Sequence, residues 1–113
     1  MIRKFEFRPW GWYITLDQGV DYKVKKIYVK PSQRFSLQYH NHREEHWTIV
    51  EGVGKITQGD LTTSIETGKY VYIPKGVIHR LEGGDKGITF IEVQRGKCYE
   101  EDIIRLEDDY GRT

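Results

Sequence analysis

The sequence has one cysteine, Cys98, in 113 residues. No internal disulfide can form, and a lone thiol suits a reducing compartment, so a cytoplasmic location is expected. Cys98 reads as a small residue near a strand end rather than as a nucleophile. No apolar run follows Met1 and no long apolar stretch occurs further on, which argues against a signal peptide and a transmembrane helix. Neither charge sign is in excess: 18 basic side chains stand against 17 acidic ones, for a net charge of +1. That balance gives no electrostatic reason to expect nucleic acid or an anionic membrane surface as a partner. Charges are scattered rather than blocked, and an acidic stretch stands at 107–109 near the end. No stretch before residue 100 keeps a helical period, and there is no internal repeat, linker or low-complexity segment. One domain over 1–113 is expected, with 1–20 an N-terminal arm and first strand and 97–113 a C-terminal tail. Its length suffices to bury a core without disulfides.

What is present is an aromatic-rich alternation of short strands and turns, with eight tyrosines and three tryptophans. Strands are expected at 12–16, 22–30, 35–40, 47–51, 54–57, 61–65, 70–73, 78–82 and 88–94. The parity of 22–30 slips near Lys25 and Lys26, which hints at a bulge. Gln58-Gly59-Asp60 and the stretch 83–87 read as hairpin loops. In 35–40, Phe35, Leu37 and Tyr39 share one face, and Ser36, Gln38 and His40 the other. The residues 100–106 fit either a short helical turn or an edge strand. About nine strands at this spacing predict an all-β sandwich or barrel.

Two segments carry the chemistry. The first, 38–52, reads Q-Y-H-N-H-R-E-E-H-W-T-I-V-E-G, and the second, 68–83, reads G-K-Y-V-Y-I-P-K-G-V-I-H-R-L-E-G. Residues two apart on a strand point the same way, so Gln38 and His40 share a face. Glu45 comes from the next segment and His79 from a later strand, after the turn at Pro74–Gly76. Imidazole nitrogen, carboxylate oxygen and amide oxygen are all competent ligands for one divalent metal: zinc first, then Mn, Co, Ni or Fe.

These spacings resemble the two motifs of the cupin superfamily, which implies a double-stranded β-helix jelly-roll barrel. The second motif, G-x5-P-x-G-x2-H-x3-N, matches Gly68, Pro74, Gly76 and His79, with Gly83 in place of Asn. In the first, G-x5-H-x-H-x3/4-E-x6-G, Gly52, Glu45 and His40 fall in register. Gln38 then takes the first histidine position and Ser32 the first glycine position. A competing register makes His40 and His42 the paired histidines, with His46 at the acid position.

The resemblance narrows further. R-P-W-G at 8–11, S-L-Q-Y-H-N-H-R-E-E-H-W at 36–47, Y-I-P-K-G-V-I-H-R-L-E at 72–82, I-E-V-Q-R-G at 91–96 and the tail 100–112 are similar to the type II mannose-6-phosphate isomerase family. Many members carry this domain as the C-terminal half of an enzyme that is also a mannose-1-phosphate guanylyltransferase. The nucleotide-binding half is not in this sequence, so guanylyl transfer is not expected. The resemblance implies a metal-dependent isomerase interconverting mannose 6-phosphate and fructose 6-phosphate through an enediol. His42 and Glu92 are candidate bases. Arg34, Arg43 and Arg80 are candidate phosphate binders, and Arg8 and Trp10 either line the site or pin the arm. Alternatives are an iron-dependent dioxygenase and a non-catalytic sugar or metal sensor. The Phe35, Leu37 and Tyr39 face would suit burial by a partner or by the N-terminal arm, and a homodimer is expected.

Overall fold

The structure is a computed structural model that describes residues 4–99 and 101–113. Residues 1–3 of the expected arm and Glu100 of the expected tail lie outside the described residues. Nine strands follow in order: β1 (Phe5–Arg8), β2 (Gly11–Gln18), β3 (Tyr22–Val29), β4 (Leu37–Tyr39), β5 (Arg43–Gln58), β6 (Leu61–Glu66), β7 (Tyr70–Ile73), β8 (His79–Gly96) and β9 (Ile104–Glu107). No helix occurs among the described residues, and so none is long and apolar enough to cross a membrane.

The long strand β8 is the spine. It pairs antiparallel with β3 over residues 88–95, with β4 at Gln38 and His79, and with β5 along both halves of that strand. β5 in turn carries β7 beside residues 45–48 and β6 beside residues 53–58. β1 and β9 end the ladder β1-β2-β3-β8-β4-β9.

Inward-facing side chains follow the two-residue period. On β5 Arg43, Glu45, Trp47 and Ile49 are buried while Glu44, His46, Thr48 and Val50 are not. The interior divides into two regions. Trp47, Ile49, Ile56, Ile73, Leu81, Ile88 and Phe90 form an apolar core, with the Trp47 and Phe90 ring centroids 4.5 Å apart. Each such side chain, fully buried, contributes about 1.5–3 kcal/mol. Toward the other end the inward positions turn polar: Lys25, Glu45, Glu92 and Gln94 are all buried.

Several expectations need correction. The stretch 83–87 is not a hairpin loop: β8 continues along β5 on both sides of it, with residues 84–87 out of register between Gly83 and Ile88. Its glycines permit a bend at which neighbouring backbone closes in. A Cβ on Gly83 would stand 2.3 Å from the Lys30 carbonyl oxygen, and Gly87 has φ +79°. The expected strands 47–51 and 54–57 are likewise one strand, irregular between Ile49 and Gly54. β1 was not anticipated, and the tail forms an edge strand, β9, paired with β4. The irregularity sensed at Lys25 lies across from it, on β2 between Thr15 and Asp17. β3 itself alternates cleanly, with Lys25, Ile27 and Val29 inward.

Only Leu37–Tyr39 of the expected strand 35–40 is regular. Phe35 is 7% exposed and packs into the core against Trp10 and Trp47. It is therefore not on an outer face available to a second copy. Ser32, at the position where the cupin motif carries glycine, has φ +61°. It is the one non-glycine residue with positive φ among those described, and so keeps the glycine's left-handed conformation at a cost.

Candidate metal centre

Three buried residues offer ligand atoms that all lie within 4.8 Å of one another: His40, Glu45 and His79. They come from three places. Glu45 is an inward position of β5, His79 begins β8 after the turn at Pro74–Gly76, and His40 follows the end of β4. Nε2 of His40 is 3.2 Å from Oε2 of Glu45, and Nε2 of His79 is 3.7 Å from Oε1.

Each imidazole is held by its far nitrogen. Nδ1–H of His40 donates to the Asp102 carbonyl at 2.8 Å, and Nδ1–H of His79 donates to the Val77 carbonyl at 2.9 Å. A carbonyl only accepts, so Nδ1 carries the proton and Nε2 of the neutral ring presents its lone pair inward. Burial pushes the His79 pKa down, ahead of the opposing pull of Glu45, which keeps this ring neutral. Its Nε2 is buried and has no hydrogen-bond partner. An orphaned ring nitrogen aimed at a carboxylate is unfavourable unless a cation lies between them. Burial alone would raise the Glu45 pKa, but the positive charge around it, the Arg43 guanidinium included, prevails and holds its carboxyl well below the usual carboxylate range. Trp47 Nε1–H donates to its Oε1 at 3.2 Å, and Arg43 Nε–H to its Oε2 at 3.1 Å. Nη2 of Arg43 also lies 3.4 Å from Nε2 of His40, so positive charge already sits among these lone pairs. The donor set, two imidazoles and a carboxylate, fits a divalent ion of the zinc, manganese or iron type.

Gln38 borders the same point, its Nε2 3.5 Å from Nε2 of His40. Its Oε1 accepts the Ser36 hydroxyl at 2.6 Å. Turning the amide by half a revolution would aim Oε1 at the cluster and let Nε2–H donate to Ser36.

Beside the cluster opens a cavity of about 260 Å³. Gln38, Arg43, Glu45, Glu92 and Gln94 line it on the polar side, and Trp10, Phe35, Trp47 and Phe90 on the apolar side. Glu92 is 4% exposed and accepts from Gln94 Nε2–H at 2.7 Å. Burial first, and then the negative charge of Glu45, push its pKa up to about 8. Lys25 stands opposite it in the sheet register, its ammonium 4.2 Å from the Tyr13 ring centroid. Arg8, Arg105 and Arg112 also line the cavity.

Three expected site residues are elsewhere. The His42 side chain is exposed and outside the cavity, because the chain turns after His40 to enter β5. Arg34 forks onto Asp109 at 2.8 and 3.0 Å. Arg80 donates to the Phe35 carbonyl at 3.0 Å and pairs with Glu107 at 3.3 Å. The acidic residues of 107–109 thus engage both arginines, and neither lines the cavity. His46, the alternative ligand, faces the other side of β5, against Glu44 and Tyr70. Lys25, Arg105, Arg112 and Asp102 were not anticipated. Lys25 carried a signal, an inward parity position that a charged side chain disguised.

Residues 2–108 match the sequence pattern of the family described as mannose-6-phosphate isomerase C-terminal. The chain is 47% identical over 109 residues to the xanthan biosynthesis protein XanB of Xanthomonas campestris pv. campestris (strain B100), covering 95% of this chain and 23% of that protein. It is likewise 47% identical over 109 residues to the alginate biosynthesis protein AlgA of Pseudomonas aeruginosa, again 95% and 23%. Against the mannose-1-phosphate guanylyltransferase of Escherichia coli K12 it is 45% identical over 110 residues, with 95% and 23% covered. The chain therefore spans less than a quarter, 23%, of the length of these curated relatives. Among solved structures, a variant of the oxalate decarboxylase of Bacillus subtilis superposes with TM-score 0.83 at 18% identity, covering 98% of this chain and 32% of that one. An uncharacterized conserved protein with a double-stranded β-helix domain from Klebsiella pneumoniae gives 0.78 at 18% identity, covering 91% and 90%. At such identities the likeness concerns the fold alone, and it makes this molecule a cupin-type double-stranded β-helix.

Proposed function

The chain belongs to the mannose-6-phosphate isomerase C-terminal family, and from that premise we propose that it is a metal-dependent aldose–ketose isomerase interconverting mannose 6-phosphate and fructose 6-phosphate. The observation that carries the reading is the pair of buried imidazoles whose Nδ1–H groups are engaged by backbone carbonyls while both Nε2 atoms face Glu45. His40, Glu45 and His79 would hold one divalent ion, zinc first, with Gln38 as fourth ligand after its amide turns. When bound, that ion supplies a Lewis acid for the sugar's carbonyl and hydroxyl oxygens.

The remaining work falls to side chains. Isomerisation takes a proton from C2 of the aldose, leaves an enediol, and returns a proton to C1, while a second proton moves between O1 and O2. Glu92 is the group proposed to carry the carbon-bound proton. A carboxyl with a pKa raised to about 8 is poised to accept and return protons near neutrality. Gln94 orients it through the 2.7 Å hydrogen bond. Arg8, Lys25 and Arg105 line the cavity together with Arg43, which is bound to Glu45, and Arg112, whose fork closes on Asp108. This concentration of cations favours an anionic substrate such as a phosphate ester. Trp10, Phe35, Trp47 and Phe90 keep water from the reacting carbons. This cationic lining favours a sugar phosphate over the neutral sugar of a sensor.

The test is a coupled assay for fructose 6-phosphate formation from mannose 6-phosphate. It is run on stripped protein, on protein given Zn, Mn, Co, Ni or Fe(II), and on the His79→Ala variant. Metal-dependent turnover that disappears in the variant is expected. Retained metal without turnover on this substrate would defeat the isomerase reading.

A further inference from the structure

Residues 40–42, between the last residue of β4, Tyr39, and the first of β5, Arg43, belong to no strand. Their carbonyls at His40 and His42 accept from Gly76 and Lys97 N–H at 2.7 and 2.9 Å, which leaves the N–H groups on the other side to be met. Yet this is where His40 must be presented. The tail supplies what the sheet does not. Asp102 is 7% exposed and closes a turn in which its N–H donates to the Tyr99 carbonyl at 3.1 Å. Its two carboxylate oxygens accept successive backbone N–H groups, Oδ1 from Asn41 at 3.1 Å and Oδ2 from His42 at 2.8 Å. Its own carbonyl accepts Nδ1–H of His40 at 2.8 Å. The Tyr99 carbonyl accepts Nη1–H of Arg43 at 3.2 Å, and Arg43 in turn donates to Glu45. One turn more than 50 residues away in sequence therefore grips the backbone around His40, the His40 ring, and the arginine that orients Glu45.

We propose that Asp102 is a positioning residue of the centre, presetting His40 with Nε2 inward and, through the same turn, Arg43 against Glu45. The inference rests on the reading of the cluster as a metal centre, but the tautomer it sets exists in the metal-free protein. Asp102 touches neither substrate nor ligand atom. It acts by satisfying two adjacent N–H groups that no strand satisfies, which holds its carbonyl where the imidazole needs it. Groups in this outer position tune metal affinity by roughly 10- to 100-fold.

The experiment compares wild type with Asp102→Ala, Asp102→Asn and Ile65→Ala. The last truncates a core side chain on β6 and serves as a stability control. Zinc and cobalt affinities are read by chelator competition. In the metal-free proteins, the His40 tautomer is read from its ring nitrogen shifts. Asp102→Ala is expected to weaken both metals by about 10- to 100-fold and to lose the pure Nδ1–H tautomer. Asp102→Asn, which keeps one acceptor oxygen, is expected to fall between. Ile65→Ala is expected to lose stability with affinity and tautomer unchanged. An Asp102→Ala protein with wild-type affinity and tautomer would overturn the proposal, as would an equal loss of affinity in Ile65→Ala. Should wild type take up no metal while its tautomer still depends on Asp102, the metal reading falls and the positioning role stands.

Discussion

Replacing Glu92 by glutamine should make the metal-free protein more stable at alkaline pH, by an amount the site itself sets. The Glu92 carboxyl is raised from 4.5 to about 8 by burial and by the charge of Glu45. The folded state thus holds a proton that the unfolded chain releases near 4.5. Between those two values the native state binds more protons, so stability falls as pH rises. The contribution is full below 4.5 and gone above about 8. A tenfold change in proton affinity is worth about 1.4 kcal/mol, which puts the whole loss on the order of 5 kcal/mol. That is comparable to the entire stability of a marginal domain, roughly 5–15 kcal/mol. Glutamine keeps the oxygen that accepts from Gln94 and, like the protonated acid, has a hydrogen to offer Glu45. Urea unfolding of both proteins in chelator, at steps from pH 5 to pH 9, gives a difference curve from which other titrating groups, His79 included, cancel. The variant should gain on wild type steadily across that window. Parallel curves would refute the burial of a neutral Glu92. With metal bound, the cation offsets the Glu45 charge, so the wild-type slope should flatten.

Arg43→Ala leaves Glu45 as a buried carboxylate without its guanidinium and should cost about 3–5 kcal/mol of metal-free stability, measured by denaturant melts. Added metal should recover part of that loss. Ser32→Gly relieves the left-handed strain at φ +61° and should gain up to ~1 kcal/mol after the glycine's own entropy cost, visible as a higher melting temperature with metal content unchanged. Gly83→Ala drives a Cβ to 2.3 Å from the Lys30 carbonyl oxygen and should destabilise by roughly 3 kcal/mol or more, read by thermal unfolding. Saturating wild type with its metal at about 100 times Kd should add ~2.7 kcal/mol, and His79→Ala should abolish that increment.

The parts of the centre that could be read from the sequence are those set by local geometry. Pro74 and Gly76 shape the turn before His79, Gly68 shapes the turn that opens β7, and two-residue spacing places Gln38 beside His40. Failures arose wherever a partner comes from far along the chain. Arg34 and Arg80 looked like phosphate ligands because Asp109 and Glu107, which bind them, lie 75 and 27 residues further along the chain. Lys25 broke an apolar pattern, and only the packing of β3 against β8 shows that an ammonium belongs indoors there. The glycines of 83–87 read as a loop because a tight turn and a bent, closely approached strand ask for the same residue. Phe35 was grouped with Leu37 and Tyr39 by strict alternation, which fails where residues 34–36 leave regular strand geometry.

The length of β8 bears on how the protein matures. One strand carries His79 at its start and Glu92 and Gln94 near its end, and all its ladder partners, β3, β4 and β5, come from earlier in the chain. Such pairings join distant parts of the sequence, and chains dominated by them fold slowly. Scattered from 40 to 79 with their outer support at 102, the ligand residues make a poor chelate in the nascent chain. On the metal reading, loading would be a late event in the life of each molecule, and the ion acquired would reflect what is free when the last strand closes.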